Sequence, residues 1–159
     1  MTVPAAPQRK SFVVLPLGGR RVSFPAESVI ELVALGKLQT FPHRTPWISG
    51  VIVRRGRAVP VCDLSCLLGQ TSAAPGRFYL IVEWRAGGTF DWCAIPVAGE
   101  CELASTEEIL PVDALTASEA PHITGFLQVA EERLEILDLA KLIHERRPSL
   151  DASAAESAL

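Results

Sequence analysis

The chain has 159 residues, 48% of them hydrophobic and 21% charged, and a formal net charge of -3. That length suits one domain able to bury roughly two-thirds of its unfolded surface. The mild acidity excludes a global basic field for nucleic acid or anionic lipid, and no apolar run approaches the ~18 residues that direct membrane insertion requires.

Residues 1–10, "MTVPAAPQRK", lack the apolar stretch of a signal peptide and are expected to form a flexible N-terminus. "SFVVLPL" and "RVSFP" then flank Gly18-Gly19, the pattern of a β-hairpin, and a short helical piece follows Pro25. "WISGVIV" and "RAVPVCD" flank a turn crowded by Arg54, Arg55 and Arg57. Pro60 cannot donate to a ladder, which predicts an edge strand there. After a second short helix beyond Asp63, "RFYLIVEW" and "TFDWCAIP" form a hairpin around Ala86-Gly87-Gly88. "HITGFLQV" and "RLEILDL" form another around Glu131-Glu132. A C-terminal helix starts at Asp138 as N-cap, buries Leu139, Leu142 and Ile143, and ends at Arg146 and Arg147 before Pro148. The small, polar residues 148–159 read as a disordered tail, and the whole as a soluble cytoplasmic protein.

Self-comparison adds an internal repeat. Shifted by 75 positions, "PWISGVIVRRGRAVPVCDLSCLL" lies over "PHITGFLQVAEERLEILDLAKLI" without a gap, pairing Gly50 with Gly125 and Asp63-Leu64 with Asp138-Leu139. Shifted by 71, "FPAESVIELV" lies over "IPVAGECELA". Two related β units, each too small to be stable alone, are expected to pack together around one shared core. The copies part at the hairpin tip, where Arg54-Arg55-Gly56-Arg57 meets Val129-Ala130-Glu131-Glu132. A demand of the scaffold acts on both copies alike, so the arginines are candidates for function; the competing reading is a solvated turn.

The same alignment sets Cys62 against Leu137, Cys93 against Val22 and Cys101 against Ile30, so these three read as small core hydrophobes. Cys66 falls opposite Lys141, at a position open to solvent. No second pair stands at ligand spacing, which argues against zinc or any other metal, and a cytoplasmic setting disfavours disulfides. His43, His122 and His144 lack the context of a nucleophile or general base, and no phosphate-binding or hydrolase motif occurs. No catalytic residue and no cofactor is expected. An enzyme built on Cys66 or His122 is the weaker reading, set against a binding module.

The residues then resemble the CheW-like family of bacterial chemosensory adaptors over about 11 to 145. "GVIVRRG" followed by "PVCDL" matches the family's G-V-x-N-L-R-G and P-[IV]-V-D-L, supported by "FVVLPLGG", "VIELV", "ITG" and "LEILDLAKLI". The resemblance implies an all-β fold: two SH3-like five-stranded barrels packed side by side, with short helices and a C-terminal helix, in a single domain over 11–147. It implies a non-catalytic adaptor, recruited to arrays at the membrane, that bridges the cytoplasmic tip of a methyl-accepting chemoreceptor to a CheA-type histidine kinase. Carried over by position, Arg55, Val29 and Glu31 would face the receptor, joined by Arg54 and Arg57; the kinase-facing residues stay unassigned. Val53-Arg54 replace the family's Asn-Leu, which points to a specialised, non-flagellar pathway. The alternative is a stand-alone SH3-like module binding extended peptides without a kinase.

Overall fold

The computed structural model describes residues 9–17, 19–69, 76–86 and 89–145. The turn glycines Gly18, Gly87 and Gly88, the helix-end Arg146 and Arg147, and the expected 148–159 tail lie outside these residues. Lys10, assigned from sequence to a flexible N-terminus, is already paired with Thr106 in the first strand.

The first half supplies β1 (Lys10–Leu17), β2 (Arg20–Pro25), β3 (Val29–Ala34), β4 (Ile48–Arg54) and β5 (Arg57–Cys62). The second supplies β6 (Phe78–Ala86), β7 (Thr89–Val97), β8 (Glu102–Thr106), β9 (Ile123–Val129) and β10 (Glu132–Leu137). Short helices α1 (Leu64–Leu67) and α2 (Ala114–Glu119) and a 3-10 turn at Ala26–Ser28 lie between strands, and α3 spans 139–145. Asp63 and Asp138 cap α1 and α3, their Oδ1 atoms accepting from the Cys66 and Lys141 amides at 3.2 and 3.1 Å.

The ten strands form two five-stranded sheets, ordered β8-β1-β2-β10-β9 and β3-β6-β7-β5-β4. Advancing every strand of one order by five positions reproduces the other, so the duplication is a pseudo-twofold. The repeats nevertheless do not form one sheet each. The first repeat gives β1 and β2 to one sheet and β3, β4 and β5 to the other, and the second repeat fills the gaps. Each sheet closes on itself through an incoming segment. Gln39 and Val51 exchange backbone hydrogen bonds of 2.9 and 2.8 Å, and Leu110 and Phe126 exchange two of 2.9 Å. Gly50 and Gly125 make that approach possible. A Cβ on Gly50 would sit 2.5 Å from the Gln39 carbonyl oxygen, and one on Gly125 would sit 2.6 Å from Ile109 Cγ2.

Burial follows the repeat residue by residue. Ile52, Val59, Val61 and Cys62 are buried at the positions of Leu127, Leu134, Ile136 and Leu137, with Cys62 and Leu137 on the face toward the shared core and the others on the opposite face. The largest apolar cluster joins Leu15, Val22 and Phe24 of one sheet to Leu80, Val82 and Ile95 of the other, with Leu139, Leu142 and Ile143 of α3. Fully burying such side chains contributes roughly 1.5–3 kcal/mol each, a share that neither sheet keeps if separated.

Two sequence expectations need correction. Pro60 does not mark an edge, because β5 lies between β7 and β4. Its register partner Val51 directs both backbone groups to Gln39, so Val51 and Pro60 are a non-hydrogen-bonded pair. The proline nitrogen therefore faces β7, where the parallel pairing registers at Val61 and Ala94 alone and no donor is needed. Second, Cys62 and Cys93 are buried as expected but are not independent fillers. They meet sulfur to sulfur in the shared core, with Cα atoms 6.3 Å apart.

Candidate functional site: the arginine hairpin

The β4–β5 hairpin turns through Arg55 and Gly56, with Arg54 and Arg57 in register on either side. Both turn residues have positive φ, 51° for Arg55 and 73° for Gly56, as a two-residue hairpin that follows the strand twist requires. Gly56 adopts this freely; Arg55 does so against a steric cost, and its side chain is thrown outward.

The three guanidinium groups meet different fates. Arg54 shares the inward face of β4 with Ile52 and reaches across the barrel mouth to β3. There its Nε donates to Glu31 Oε1 at 2.7 Å and its Nη2 to Oε2 at 2.9 Å, a bidentate pair. The Glu31 side chain is 17% exposed, so this carboxylate is mostly enclosed by its partner. Hydrogen bonding from Arg54 holds the Glu31 carboxyl below the usual carboxylate range, and Glu31 in turn raises the Arg54 pKa. Arg57 is drawn the other way, its guanidinium carbon 3.9 Å from the centre of the Trp92 ring on β7. Arg55 keeps one long contact, Nη2 to Glu31 Oε2 at 3.4 Å, and its side chain remains 60% exposed. Of the three arginines, Arg55 is the one projecting from the tip.

The sequence candidates therefore divide. Glu31, Arg54 and Arg55 form one cluster and Arg57 flanks it on Trp92. Val29 stands apart from them. A bulge at Ile30 separates it from Glu31, and it packs against the inter-lobe core, in register with Val82. Beside Val29 a cleft of about 620 Å³ opens between the lobes, its apolar floor made by Phe24, Val82, Leu137 and Leu139. The exposed apolar area next to the arginines comes from residues that sequence reasoning passed over: Val53 on β4 and Leu32 on β3, 64% and 44% exposed. Alternation marks them as outward-facing, and nothing else in the sequence distinguishes them. Trp92 was equally silent, because a tryptophan in a strand does not declare which arginine it will sit beneath.

The remaining candidates show no catalytic arrangement. His43 Nδ1 accepts from the Thr45 amide at 3.1 Å, and His122 Nδ1 lies 3.0 Å from Glu145 on α3. Cys66 is partly buried rather than open, and burial pushes up the Cys101 thiol pKa. Among the described residues, no group of three His, Cys, Asp or Glu side chains is placed to hold a metal. Of the three tryptophans, Trp84 alone lines the cleft, together with Phe24.

Comparison with known proteins agrees with this architecture. The family model of the CheW-like domain matches residues 11–147. Protein FrzA of Myxococcus xanthus is 28% identical over 158 residues, covering 92% of each chain. The crystal structure of scaffolding protein TtCheW from Thermoanaerobacter tengcongensis shares the fold, with a TM-score of 0.70 over 87% of this chain and 90% of that one, at 21% identity. With two pseudo-symmetric five-stranded sheets, a basic hairpin at the matched motif and a family match spanning nearly all the described residues, the chain belongs to the CheW-like domain family, a family of non-catalytic scaffolds.

Proposed function

We propose that the chain is a cytoplasmic adaptor that couples the tip of a methyl-accepting chemoreceptor to a CheA-type histidine kinase, with Arg55 as the principal receptor contact. The observation that carries this reading is the division of labour at the hairpin. Arg54 is paired with Glu31 and Arg57 is held on Trp92, while Arg55, with a single 3.4 Å contact to Glu31 and a side chain 60% exposed, keeps most of its planar fork for carboxylates or backbone carbonyls of a helical hairpin. Glu31 acts as an internal partner of the arginines, and Val29 packs against the shared core at a distance from the tip. Arg54, the arginine additional to the family's motif, is paired with Glu31 while its side chain stays 42% exposed. No described helix is long and apolar enough to cross a membrane, and recruitment to the array would proceed through the receptor.

The test is titration calorimetry against a receptor cytoplasmic fragment and, separately, the kinase regulatory domain. Arg55→Ala should weaken receptor binding by about 10- to 100-fold, the loss of one or two charge-assisted hydrogen bonds, and leave kinase binding near wild type. Arg55→Lys should restore it only in part, because a point charge cannot replace a fork. Unchanged receptor affinity in Arg55→Ala, or full rescue by lysine, would return the tip to the status of a solvated turn.

A further inference from the structure

We propose that Cys62 and Cys93 are a reversible oxidation site, a dithiol that exchanges with a small disulfide such as oxidised glutathione and, once closed, staples β5 to β7 beneath the arginine hairpin. Three observations converge on the pair. The sulfurs are in contact in the core, and their Cα separation of 6.3 Å falls within the range that disulfides span.

The internal duplication supplies the control. In the other sheet the equivalent places belong to Leu137 and Val22, buried to the same degree, so the packing there is met without sulfur. Two thiols at both members of one contact are therefore not a demand of the scaffold.

Their location is also particular. The β5–β7 seam registers only at Val61 and Ala94, and Pro60 brings no amide to it. Such a thin ladder opens more readily than its neighbours, giving a small disulfide access to sulfurs that are closed off in the packed state. Cys93 directly follows Trp92, which lies under Arg57. Closing the bond would thus tie β5 to β7 at its end, while the arginine–indole contact holds its start.

The exchange balances. One cysteine, as thiolate, attacks oxidised glutathione and releases a glutathione thiolate, leaving a mixed disulfide on the protein. The second cysteine, after losing its proton, attacks the protein sulfur of that mixed disulfide and releases the second glutathione thiolate. The two protein protons end on the two glutathione molecules, and the protein's two electrons have reduced the glutathione disulfide bond. Reduced glutathione in excess reverses both steps.

The test uses full-length protein with Cys66→Ser and Cys101→Ala, so that only this pair can react. It is equilibrated across glutathione buffers from fully reducing to fully oxidising, both in the native state and through urea unfolding and refolding. Acid quenching, alkylation and intact mass then count free thiols. The expected result is a concerted passage from two alkylated cysteines to none. The oxidised form should melt about 5–10 °C above the reduced one, and its β5 amides should exchange more slowly with deuterium. Cys93→Val, which installs the residue of the sister sheet, should fold and lose the redox dependence of melting. Two free thiols under oxidising conditions in both arms would overturn the proposal, as would a melting shift that persists in Cys93→Val.

Discussion

Arg55 and Ala130, 75 positions apart, adopt the same left-handed backbone, φ 51° and 53°, at the tips of pseudo-equivalent hairpins. The scaffold imposes the conformation at both places, and only one tip carries a guanidinium. Because an L side chain adopts this region at a steric cost of about 1–2 kcal/mol, Ala130→Gly should stabilise the protein by about 0.5–1 kcal/mol after the greater freedom of the unfolded glycine is offset. Arg55→Gly should change stability in the same direction while weakening receptor binding. Denaturant melts of both variants measure this, and a destabilised Ala130→Gly would contradict the assignment of strain.

The Glu31–Arg54 pair makes stability depend on acid. Glu31 titrates below its ordinary 4.5 in the folded protein because Arg54 donates two hydrogen bonds to its charged form. A depressed carboxylate stabilises the fold above the unfolded value and loses that contribution as pH falls through the folded one. Glu31→Gln should therefore melt lower than wild type at neutral pH, and the gap should close below about pH 4.5. A gap that is constant from pH 7 to pH 3 would show that the ionised pair is not its source.

Gly50 and Gly125 are sites where one added carbon matters unequally. At Gly50 it would strike the Gln39 carbonyl oxygen, a backbone atom fixed by its own hydrogen bonds to Val51. At Gly125 the nearest obstacle is the Cγ2 methyl of Ile109, with the Leu110 carbonyl oxygen farther off at 3.2 Å, so a side chain must give before the backbone does. Gly50→Ala should cost about 2–3 kcal/mol and Gly125→Ala about 1 kcal/mol, as for other overpacked sites. Equal losses in chemical denaturation would remove the distinction between backbone and side-chain obstruction.

The exchange of strands between repeats predicts the behaviour of the halves. Fragments 1–75 and 76–159, cut between α1 and β6, each lack the partner strands of both of their sheets. Alone and monomeric, neither should show a cooperative melt, and mixing them should restore the β circular dichroism signal and a single transition. A cooperative melt of either isolated fragment would mean that a repeat can complete a sheet by itself.

The sequence by itself determined the local geometry. Alternation settled which of Ile52, Val59, Val61 and their sister residues point inward, the matched Gly50 and Gly125 marked the same structural position twice, and two aspartates announced their helices. It also singled out the arginine tip, because the duplication provided an internal comparison. These features are set by periodicity and by steric limits on a few neighbouring residues, so they can be read along the chain. Tertiary structure alone decided which strand partners which. A repeat folded on itself and a repeat exchanged with its sister satisfy the same alternation, and the choice lies in the shared core. The pairing of Arg54 with Glu31, 23 residues away, depends on that choice, as do the interior place of Pro60 and the meeting of Cys62 with Cys93. Each is a contact between strands whose adjacency leaves no periodic mark, because side-chain pattern encodes the face a residue presents and not the neighbour it meets.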